Sequence, residues 1–531
     1  MKIINNPILR GFNPDPSIIR VKDDYYIATS TFEWFPGVQI HHSKDLINWE
    51  LVARPLNRLS QLDMRGNPCS GGVWAPCLSY DNGIFYLVYT DVKTRSGIWK
   101  DAHNYLVTTD DIYGDWSKPV YLNSSGFDPS LFHDTDGRKW IVNMLWEHRL
   151  RVAKKSNGII MQEYSPEKKK LVGPVKKIFD GVLSVTEGPH LYKRNGYYYL
   201  IVAEGGTGYN HVVTFARSKN IDGPYEVHPL NPILTSADNP ELELQKAGHA
   251  DLVETQTGEC YMVHLCARPL SKRGYCPLGR ETAIQKVVWR DDNWLYLENG
   301  SNTPDLKVPA PDIGNNSAAD SIVKKADNKY VERDEFDSFE LNINYQSLRV
   351  PLKEDLLSLK ERPGFLRLKG GESLSSRFRQ SLIARRWQSF NFTATTCLEY
   401  EPQNYQQMAG LVCLYDESDF YYLMITDNEK IGKCLDILCC NQGKFSTPLE
   451  KEIKIEGWNR VYLRVEVDRE ELQFYYSQDE DRWQKIGAVL DVAKLSDAIS
   501  LHTGSFVGLC CQDITGQNHY ADFDFFEYKE R

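Results

Sequence analysis

A short theme recurs five times in the first half of this chain and constrains its fold more than any other feature. Each copy places one leading residue before a short apolar run, and in four copies a proline lies within two residues of it. The leading residues are Asp15, Trp74, Asp128, Glu187 and His249, spaced by 59, 54, 59 and 62 residues. A repeat on this scale, with several strands in each unit, is typical of a β-propeller. We therefore predict a propeller of five blades.

The remainder of each copy also has the features of a blade. A turn signal such as Asn195-Gly196 precedes a second strand rich in aromatic and β-branched residues, as hairpins require. These second strands cover residues 25–28, 85–89, 140–142, 197–202 and 260–263. Copies two and four carry one extra residue before the apolar run, and copy three lacks the outer-strand signature of the first two. We assign residues 1–305 to the propeller domain.

A second, different domain follows a change in composition. Residues 306–330 contain clustered proline, asparagine and serine, which indicates a linker. Residues 331–531 are again rich in strands, but they do not repeat the theme of the first domain. Between residues 461 and 467, apolar residues alternate with polar ones, as in a sheet with one solvated face. We predict a β-sandwich of the jelly-roll, concanavalin-like type, so that the whole chain is all-β.

Composition excludes some classes of partner and suggests a compartment. The net charge of −10 disfavours nucleic acid, which would require a clustered basic surface. No apolar run approaches the roughly 20 residues of a membrane helix, and the start of the sequence shows no apolar signal region. The 12 cysteines form no regular framework, so we expect reduced thiols and a cytoplasmic location.

A radial arrangement of five blades would bring the leading residues to one end of the central axis. Three of them, Asp15, Asp128 and Glu187, are carboxylic acids. Hydrolysis of a glycosidic bond needs one carboxylic acid to protonate the departing oxygen and one carboxylate on the opposite face. A third carboxylate nearby would help the acid to keep its proton, because like charges resist ionisation. Each residue alone has an ordinary role in a turn, a strand end or the core, but matching places in a repeat favour a functional site.

The motifs at these positions resemble those of glycoside hydrolase family 43, specifically its two-domain β-xylosidases. They are Asn-Pro-Asp-Pro-Ser (13–17), Trp-Ala-Pro (74–76), Phe-Asp-Pro-Ser (127–130) and Thr-Glu-Gly-Pro-His (186–190). The resemblance implies an inverting exo-hydrolase that releases xylose from the non-reducing ends of β-1,4-xylo-oligosaccharides, often with α-L-arabinofuranosidase side activity. It also implies that Asp15 is the general base, Glu187 the general acid and Asp128 a modulator of the acid.

The same resemblance extends to residues that would bind the substrate. These are Phe32, Trp74, Trp146, His249, Arg290 and Phe506. Arg290 would bind sugar hydroxyls beside the modulator, and Phe506 would reach over the pocket from the sandwich domain. No cofactor is expected; an axial calcium near His249 is compatible with the resemblance but not required by it. Relatives of this kind are usually multimers, which implies a homo-oligomer, either a dimer or a tetramer.

Three alternatives stay open at this point. An α-L-arabinofuranosidase or arabinanase would use the same acidic residues with a different pocket. The sucrose- and fructan-cleaving hydrolases also combine a five-bladed propeller with a sandwich, but their Trp-Met-Asn-Asp-Pro-Asn-Gly opening is missing here. A non-catalytic propeller that binds carbohydrate or protein is the third, because a fold does not determine a function.

Overall fold

The computed structural model describes residues 2–152, 155–313, 332–352, 355–500 and 502–531. The predicted linker, 306–330, lies outside these residues from 314 onward. The described chain divides into two compact units. The first holds the described residues up to Glu33, then Gly37–Arg273, then those from Arg280 to 313. The second holds Trp34–Pro36, Gly274–Gly279 and the described residues from 332 to Arg531.

The described part of the first 310 residues contains twenty-four strands. The region of the first blade contains β1 (Ile3–Asn5), β2 (Ser17–Val21), β3 (Asp24–Thr29), β4 (Trp34–Phe35), β5 (Gln39–Ser43) and β6 (Glu50–Ala53). The second blade contains β7 (Gly72–Asp81), β8 (Ile84–Val92), β9 (Ala102–Thr109) and β10 (Val120–Asn123). The third contains β11 (Ser130–His133), β12 (Lys139–Trp146), β13 (Ser156–Ser165) and β14 (Lys170–Phe179). The fourth contains β15 (Glu187–Arg194), β16 (Tyr197–Glu204), β17 (Val212–Ser218), β18 (Glu226–Val227) and β19 (Leu234–Thr235). The fifth contains β20 (Gln245–Glu254), β21 (Cys260–Ala267), β22 (Glu281–Trp289) and β23 (Leu295–Leu297), and β24 (Lys307–Pro309) follows it.

The predicted five-bladed propeller is confirmed. Each blade is an antiparallel sheet with a four-strand path, and the innermost strands are β2, β7, β11, β15 and β20. Each innermost strand packs beside those of both neighbouring blades, so the five form a closed ring. The ring is also closed outside the blades, because β1 pairs with β24, with Ile3 opposite Pro309. Pairing the first and last strands of the propeller domain in this way covers strand edges that would otherwise be left unpaired.

The core of the propeller lies between adjacent blades. One buried cluster joins Ile18 and Ile27 of the first blade to Val263 and Ile284 of the fifth. A second joins the second blade to the third, for example Val88 to Ile141. A blade is therefore apolar on both faces of its inner strands, which explains why these strands have nearly continuous apolar sequences.

A left-handed residue opens every blade. Positive φ angles occur at Asp15, Ala75, Asp128, Gly188 and His249, in a conformation that Asp and His adopt more readily than most residues. In blades two and four the left-handed residue follows the leading residue, and the ladder shifts register between Trp74 and Cys77 and between Glu187 and His190. The extra residue noted in these two copies is thus a β-bulge, which re-aims the side chains beside it.

The second unit is a sandwich, as predicted. Its strands from the second half of the chain are β25 (Arg333–Asp334), β26 (Ser347–Leu348), β27 (Leu357–Ser358), β28 (Leu366–Lys369), β29 (Leu382–Arg386), β30 (Asn391–Glu399), β31 (Gln407–Asp416), β32 (Asp419–Asn428), β33 (Gly432–Asn441), β34 (Lys444–Ser446), β35 (Ile453–Lys454), β36 (Val461–Asp468), β37 (Glu471–Ser477), β38 (Gln484–Asp491), β39 (Phe506–Asp513) and β40 (Tyr520–Glu530). Among the described residues of this unit, helical structure is limited to a 3₁₀ turn, Val492–Lys494, and α1 (Asp497–Ser500). Two antiparallel sheets result, one with β40, β30 and β36 at its centre and one with β39, β31 and β32. In β36 the apolar residues are buried and their polar neighbours are half-buried, as their alternation predicts.

Within the residues that the structure describes, no helix combines the length and apolar character that crossing a bilayer requires.

Candidate active site

Asp15 is buried at the inner end of the first blade, directly before β2. Its Oδ1 accepts a hydrogen bond from Arg280 at 2.9 Å, and its Oδ2 accepts one from the Ser30 hydroxyl at 2.7 Å. Burial alone would raise the pKa of this carboxyl, but the charge of Arg280 and the Ser30 hydrogen bond act against burial, and the pKa is lowered. Asp15 is therefore held as a carboxylate, the form that a general base needs.

His249 lies beside Asp15, within β20 of the fifth blade. Its Nδ1 is 3.8 Å from Asp15 Oδ1, and burial lowers the pKa of the imidazole to about 4, so the ring is neutral near pH 7. Gly188 packs against it: a Cβ at Gly188 would approach the ring to 3.0 Å, and the φ of +58° also suits glycine.

A calcium ion fits poorly at His249. Calcium prefers six to eight oxygen ligands. The carboxylates of Asp15 and Asp251 both favour the protonated form of His249. Both carboxylates already accept hydrogen bonds from other groups. Asp15 accepts from Arg280 and Ser30, and Asp251 accepts from Ser17 and Tyr192.

Asp128 and Glu187 form a buried pair of acids. Asp128 Oδ2 accepts a hydrogen bond at 3.1 Å from the backbone N–H of Gly188, the residue after Glu187. Burial first, and then the negative charges of Glu187 and Asp15, raise the pKa of Asp128 well above its ordinary value. Because two adjacent carboxyls cannot both ionise easily, the pair retains one proton to higher pH than a free acid would. The leading carboxyls of blades one, three and four are thus brought together.

Lys100, which sequence reasoning missed, adds a cation to this site. It follows β8 in a loop and lies beside the acid pair, whose negative charges favour its protonated form. Burial and the nearby Arg95 charge act more strongly in the opposite direction, so the pKa of Lys100 is lowered. Its Nζ lies 4.7 Å from the ring centroid of Trp146 and 5.2 Å from that of Trp74. No repeat or motif in the sequence marks this residue.

The predicted aromatic residues form one continuous row. Phe32 contacts Trp74 with ring centroids 5.9 Å apart, and Trp74 contacts Phe127 edge-on at 5.2 Å. Phe127 in turn contacts Trp146 at 6.2 Å. Phe127 precedes Asp128, so the row passes directly beside the acid pair. Phe32, Trp74 and Trp146 thus lie where walls of a sugar pocket are expected, and Phe127 joins them.

The expectation for Arg290 was wrong: the arginine that bonds to one of the acids is Arg280. Arg290 is exposed after the end of β22, where its guanidinium lies 3.9 Å from the ring centroid of Tyr296. Arg280 comes directly before β22, is buried, and bonds to Asp15. The two arginines flank opposite ends of a nine-residue strand, and it is Arg280 that bonds to Asp15.

Phe506 belongs to the second unit, where it is fully buried in β39. Its ring stacks on that of Trp34, with centroids 3.6 Å apart and planes 13° from parallel. Trp34 lies in β4, which pairs with β26 of the same unit. The role of Phe506 in limiting the length of the substrate stays a prediction.

Glu204, also missed from the sequence, holds the segment that leads into Glu187. Its Oε1 accepts hydrogen bonds from the backbone N–H groups of Val182 and Leu183 and from the Thr186 hydroxyl. Its Oε2 accepts one from the hydroxyl of Thr214. Glu204 is fully buried at the end of β16, next to Ala203, which pairs with Glu187. We infer that it positions the Glu187 carboxyl.

We expect Glu204→Ala to lower kcat more than it changes KM, by about tenfold, because the segment before Glu187 loses its anchor. It should also lower the free energy of unfolding by about 2 kcal/mol, since buried donors are left without an acceptor. Glu204→Gln keeps one acceptor oxygen for the segment and should restore most of kcat. Steady-state kinetics and thermal unfolding of both variants test this, and equal kcat loss in the two would contradict a positioning role.

Comparison with known proteins agrees with this geometry. Glycosyl hydrolases family 43 matches residues 4–295, and a β-xylosidase C-terminal concanavalin A-like domain matches residues 333–529. The chain is 53% identical to a β-xylosidase of Bacillus subtilis, covering 99% of this chain and all of that protein. It is 51% identical to xylosidase/arabinosidase 43B of Humicola insolens, covering 100% of this chain and 98% of that protein. A crystal structure of xylan β-1,4-xylosidase from Bacillus halodurans C-125 superposes with a TM-score of 0.95 at 55% identity, covering 99% of this chain and all of that one. With both domains matched and its carboxyls gathered at the propeller axis, this chain belongs to glycosyl hydrolases family 43.

Proposed function

We propose that the protein is an inverting exo-hydrolase that releases D-xylose from the non-reducing ends of β-1,4-xylo-oligosaccharides. One observation carries the proposal: Asp15, Asp128 and Glu187 are buried at the axis, Asp15 is bonded to Arg280, and Asp128 accepts from the residue after Glu187. Asp15 is kept ionised, whereas the pair of Asp128 and Glu187 retains a proton. The β-xylosidase names of the Bacillus relatives support the choice of sugar.

The residues at the axis supply both halves of the inverting reaction. The Asp15 carboxylate removes a proton from a water molecule while the oxygen of that water attacks the anomeric carbon. Glu187 gives its proton to the glycosidic oxygen as the bond to that carbon breaks. Arg280 keeps Asp15 ionised before the attack, and Asp128 keeps the proton available on the acid pair. The xylose leaves with inverted configuration at its anomeric carbon.

A side activity on α-L-arabinofuranosides is part of the proposal. The Humicola relative carries both activities in its name. The acids would act in the same way on either sugar, so the pocket walls formed by Phe32, Trp74 and Trp146 would set the preference. Xylobiose, an aryl α-L-arabinofuranoside and linear arabinan, compared by kcat/KM, would rank the candidate substrates. A higher value on arabinan than on xylobiose would replace this proposal with an arabinanase.

Proton NMR of the first product tests the stereochemistry. Hydrolysis of xylobiose should release α-xylose from the non-reducing end before the anomers equilibrate. Initial release of β-xylose would mean retention and would rule out the inverting mechanism. Absence of any turnover of sugars would favour a binding propeller instead.

The role of Asp128 predicts a change in pH dependence. In Asp128→Asn the acid pair loses one negative charge, so Glu187 should give up its proton at lower pH. Since the reaction needs a protonated acid, the basic limb of kcat/KM against pH should move to lower pH, and activity at pH 7 should fall about 10- to 100-fold. The Asn amide can still accept from Gly188, which preserves the local geometry. A basic limb identical to that of the wild type would contradict the role.

Location and assembly remain part of the proposal as well. All 12 cysteines lie within the described residues and carry thiols rather than disulfides, which supports a cytoplasmic location. A homo-oligomer, dimer or tetramer, is expected and can be measured by sedimentation.

A further inference from the structure

An exposed tryptophan lies in the loop that carries Lys100 into the site. This loop, residues 93–101, joins β8 to β9, and its ends are tied by a hydrogen bond from Lys93 N–H to the carbonyl of Asp101. A second tie runs from the Thr94 hydroxyl to the Asp101 carboxylate at 2.9 Å. Of the large hydrophobic side chains that the structure describes, none exposes a greater fraction of its surface than Trp99, at 66%.

Both neighbours of Trp99 in the chain face the site. The carbonyl of Ile98 accepts a hydrogen bond at 3.0 Å from the indole of Trp146. Lys100 lies over the rings of Trp146 and Trp74, and the negative charge of Glu187 favours its protonated form. The loop is therefore anchored to the pocket wall on either side of Trp99, which places this indole at the rim.

The proposed chemistry indicates which sugar of the substrate lies next to Trp99. A general acid protonates the oxygen that leaves with the second sugar, so that sugar must lie on the Glu187 side of the cleaved bond. Lys100 is the cation beside Glu187, and Trp99 is its neighbour in the chain. The exposed indole thus borders the space that the leaving sugar occupies.

The segment before Glu187 also carries exposed apolar side chains. Val182 and Leu183 expose 48% and 50% of their surfaces, although Glu204 fixes their backbone. A chain of contacts links this segment to the Trp99 loop: Thr186 bonds to Ser156 through both its N–H and its carbonyl, Ser156 pairs with Trp146, and Trp146 bonds to Ile98. The Trp99 loop and the segment before Glu187 are therefore connected through Trp146 and Ser156.

We propose that Trp99 is a stacking platform for the leaving sugar of the substrate. This rests on the proposed hydrolase function and extends it to a specificity-determining residue. An apolar sugar face that covers the indole removes both surfaces from water, which strengthens binding of the leaving group. The xylose unit on the other side of the bond gains nothing from this contact.

Three variants and two substrates test the platform. Trp99→Ala should lower kcat/KM on xylobiose by about five- to tenfold, as expected for loss of one aromatic stacking contact. It should leave kcat/KM on β-xylosyl fluoride within about twofold of the wild type, because fluoride offers no sugar to stack. Inhibition by free xylose at the cleaved-sugar position should also be unchanged. Trp99→Phe keeps a ring and should retain most of the activity on xylobiose.

Phe339→Ala is the matched control, because Phe339 exposes 65% of its surface and lies in the second unit. It should leave both substrates unaffected. Equal losses on xylobiose and on the fluoride, or no loss on either, would overturn the platform. A change in sedimentation of Trp99→Ala without a substrate-dependent effect would identify a contact between copies instead, and would also overturn it. A wild-type enzyme that cleaves no xylobiose would overturn the proposed function itself, so the two failures can be told apart.

Discussion

Glu187→Ala should lose about 10³- to 10⁴-fold in kcat/KM on xylobiose, yet keep much of its activity on an aryl β-xyloside with an acidic phenol. A sugar alkoxide is a poor leaving group and needs the proton of Glu187, whereas an acidic phenol departs as a phenolate without it. The ratio of kcat/KM on the two substrates, compared with the wild type, therefore isolates protonation of the leaving group.

Asp15→Ala is the contrasting variant in the same experiment. It removes the base that activates water, and water attacks in every substrate, so both substrates should lose activity to a similar extent. Circular dichroism should show that both variants keep the β fold. If Asp15→Ala spared the aryl xyloside and Glu187→Ala did not, the two roles would have to be exchanged.

The second large effect is expected at Arg280. Arg280→Ala should reduce kcat/KM about 10²- to 10³-fold near pH 6, because it leaves the buried Asp15 without its counter-charge. Arg280 is the main group that lowers the pKa of Asp15 against the opposing effect of burial. Without Arg280, that pKa should rise. A base works only when ionised, so activity should be lost at a higher pH on the acidic side, and the acidic limb of the profile should move upward.

Arg290 provides the matched control for this prediction. It is the same residue type at the other end of β22, and it lies against Tyr296 away from the acids. Arg290→Ala should leave the pH profile and kcat/KM within about twofold of the wild type. A large loss at Arg290 combined with a normal Arg280 variant would restore the assignment that the sequence suggested. Arg280→Lys, which keeps the charge but loses the guanidinium geometry, should lie between wild type and Arg280→Ala.

The repeat was sufficient to predict the blades because the inner strands of all five blades are buried in the same way. Each inner strand must bury both faces against its neighbours, so each copy contains an apolar run after a polar opening. The same regularity placed Asp15, Asp128 and Glu187 at one end of the axis. Even the extra residue in copies two and four was visible before the structure identified it as a bulge.

Contacts between residues of different blades could not be predicted from the repeat. Arg290 was chosen because its Val-Trp-Arg segment resembles the family's motif, and that local likeness does not report which arginine contacts the acids. Lys100 and Glu204 left no signal, since each acts through partners in another strand or loop. Their importance depends on distances that no spacing along the chain reports.

The sequence by itself therefore determined the architecture and the acid trio, because both follow from a local pattern that is repeated in every blade. The tertiary structure alone decided the electrostatics of the site: which arginine keeps Asp15 ionised, which acids share a proton and which loop carries Lys100. The physical reason is that charge interactions depend on burial and on distances between groups far apart in the chain, and these exist only once the ring of blades has closed.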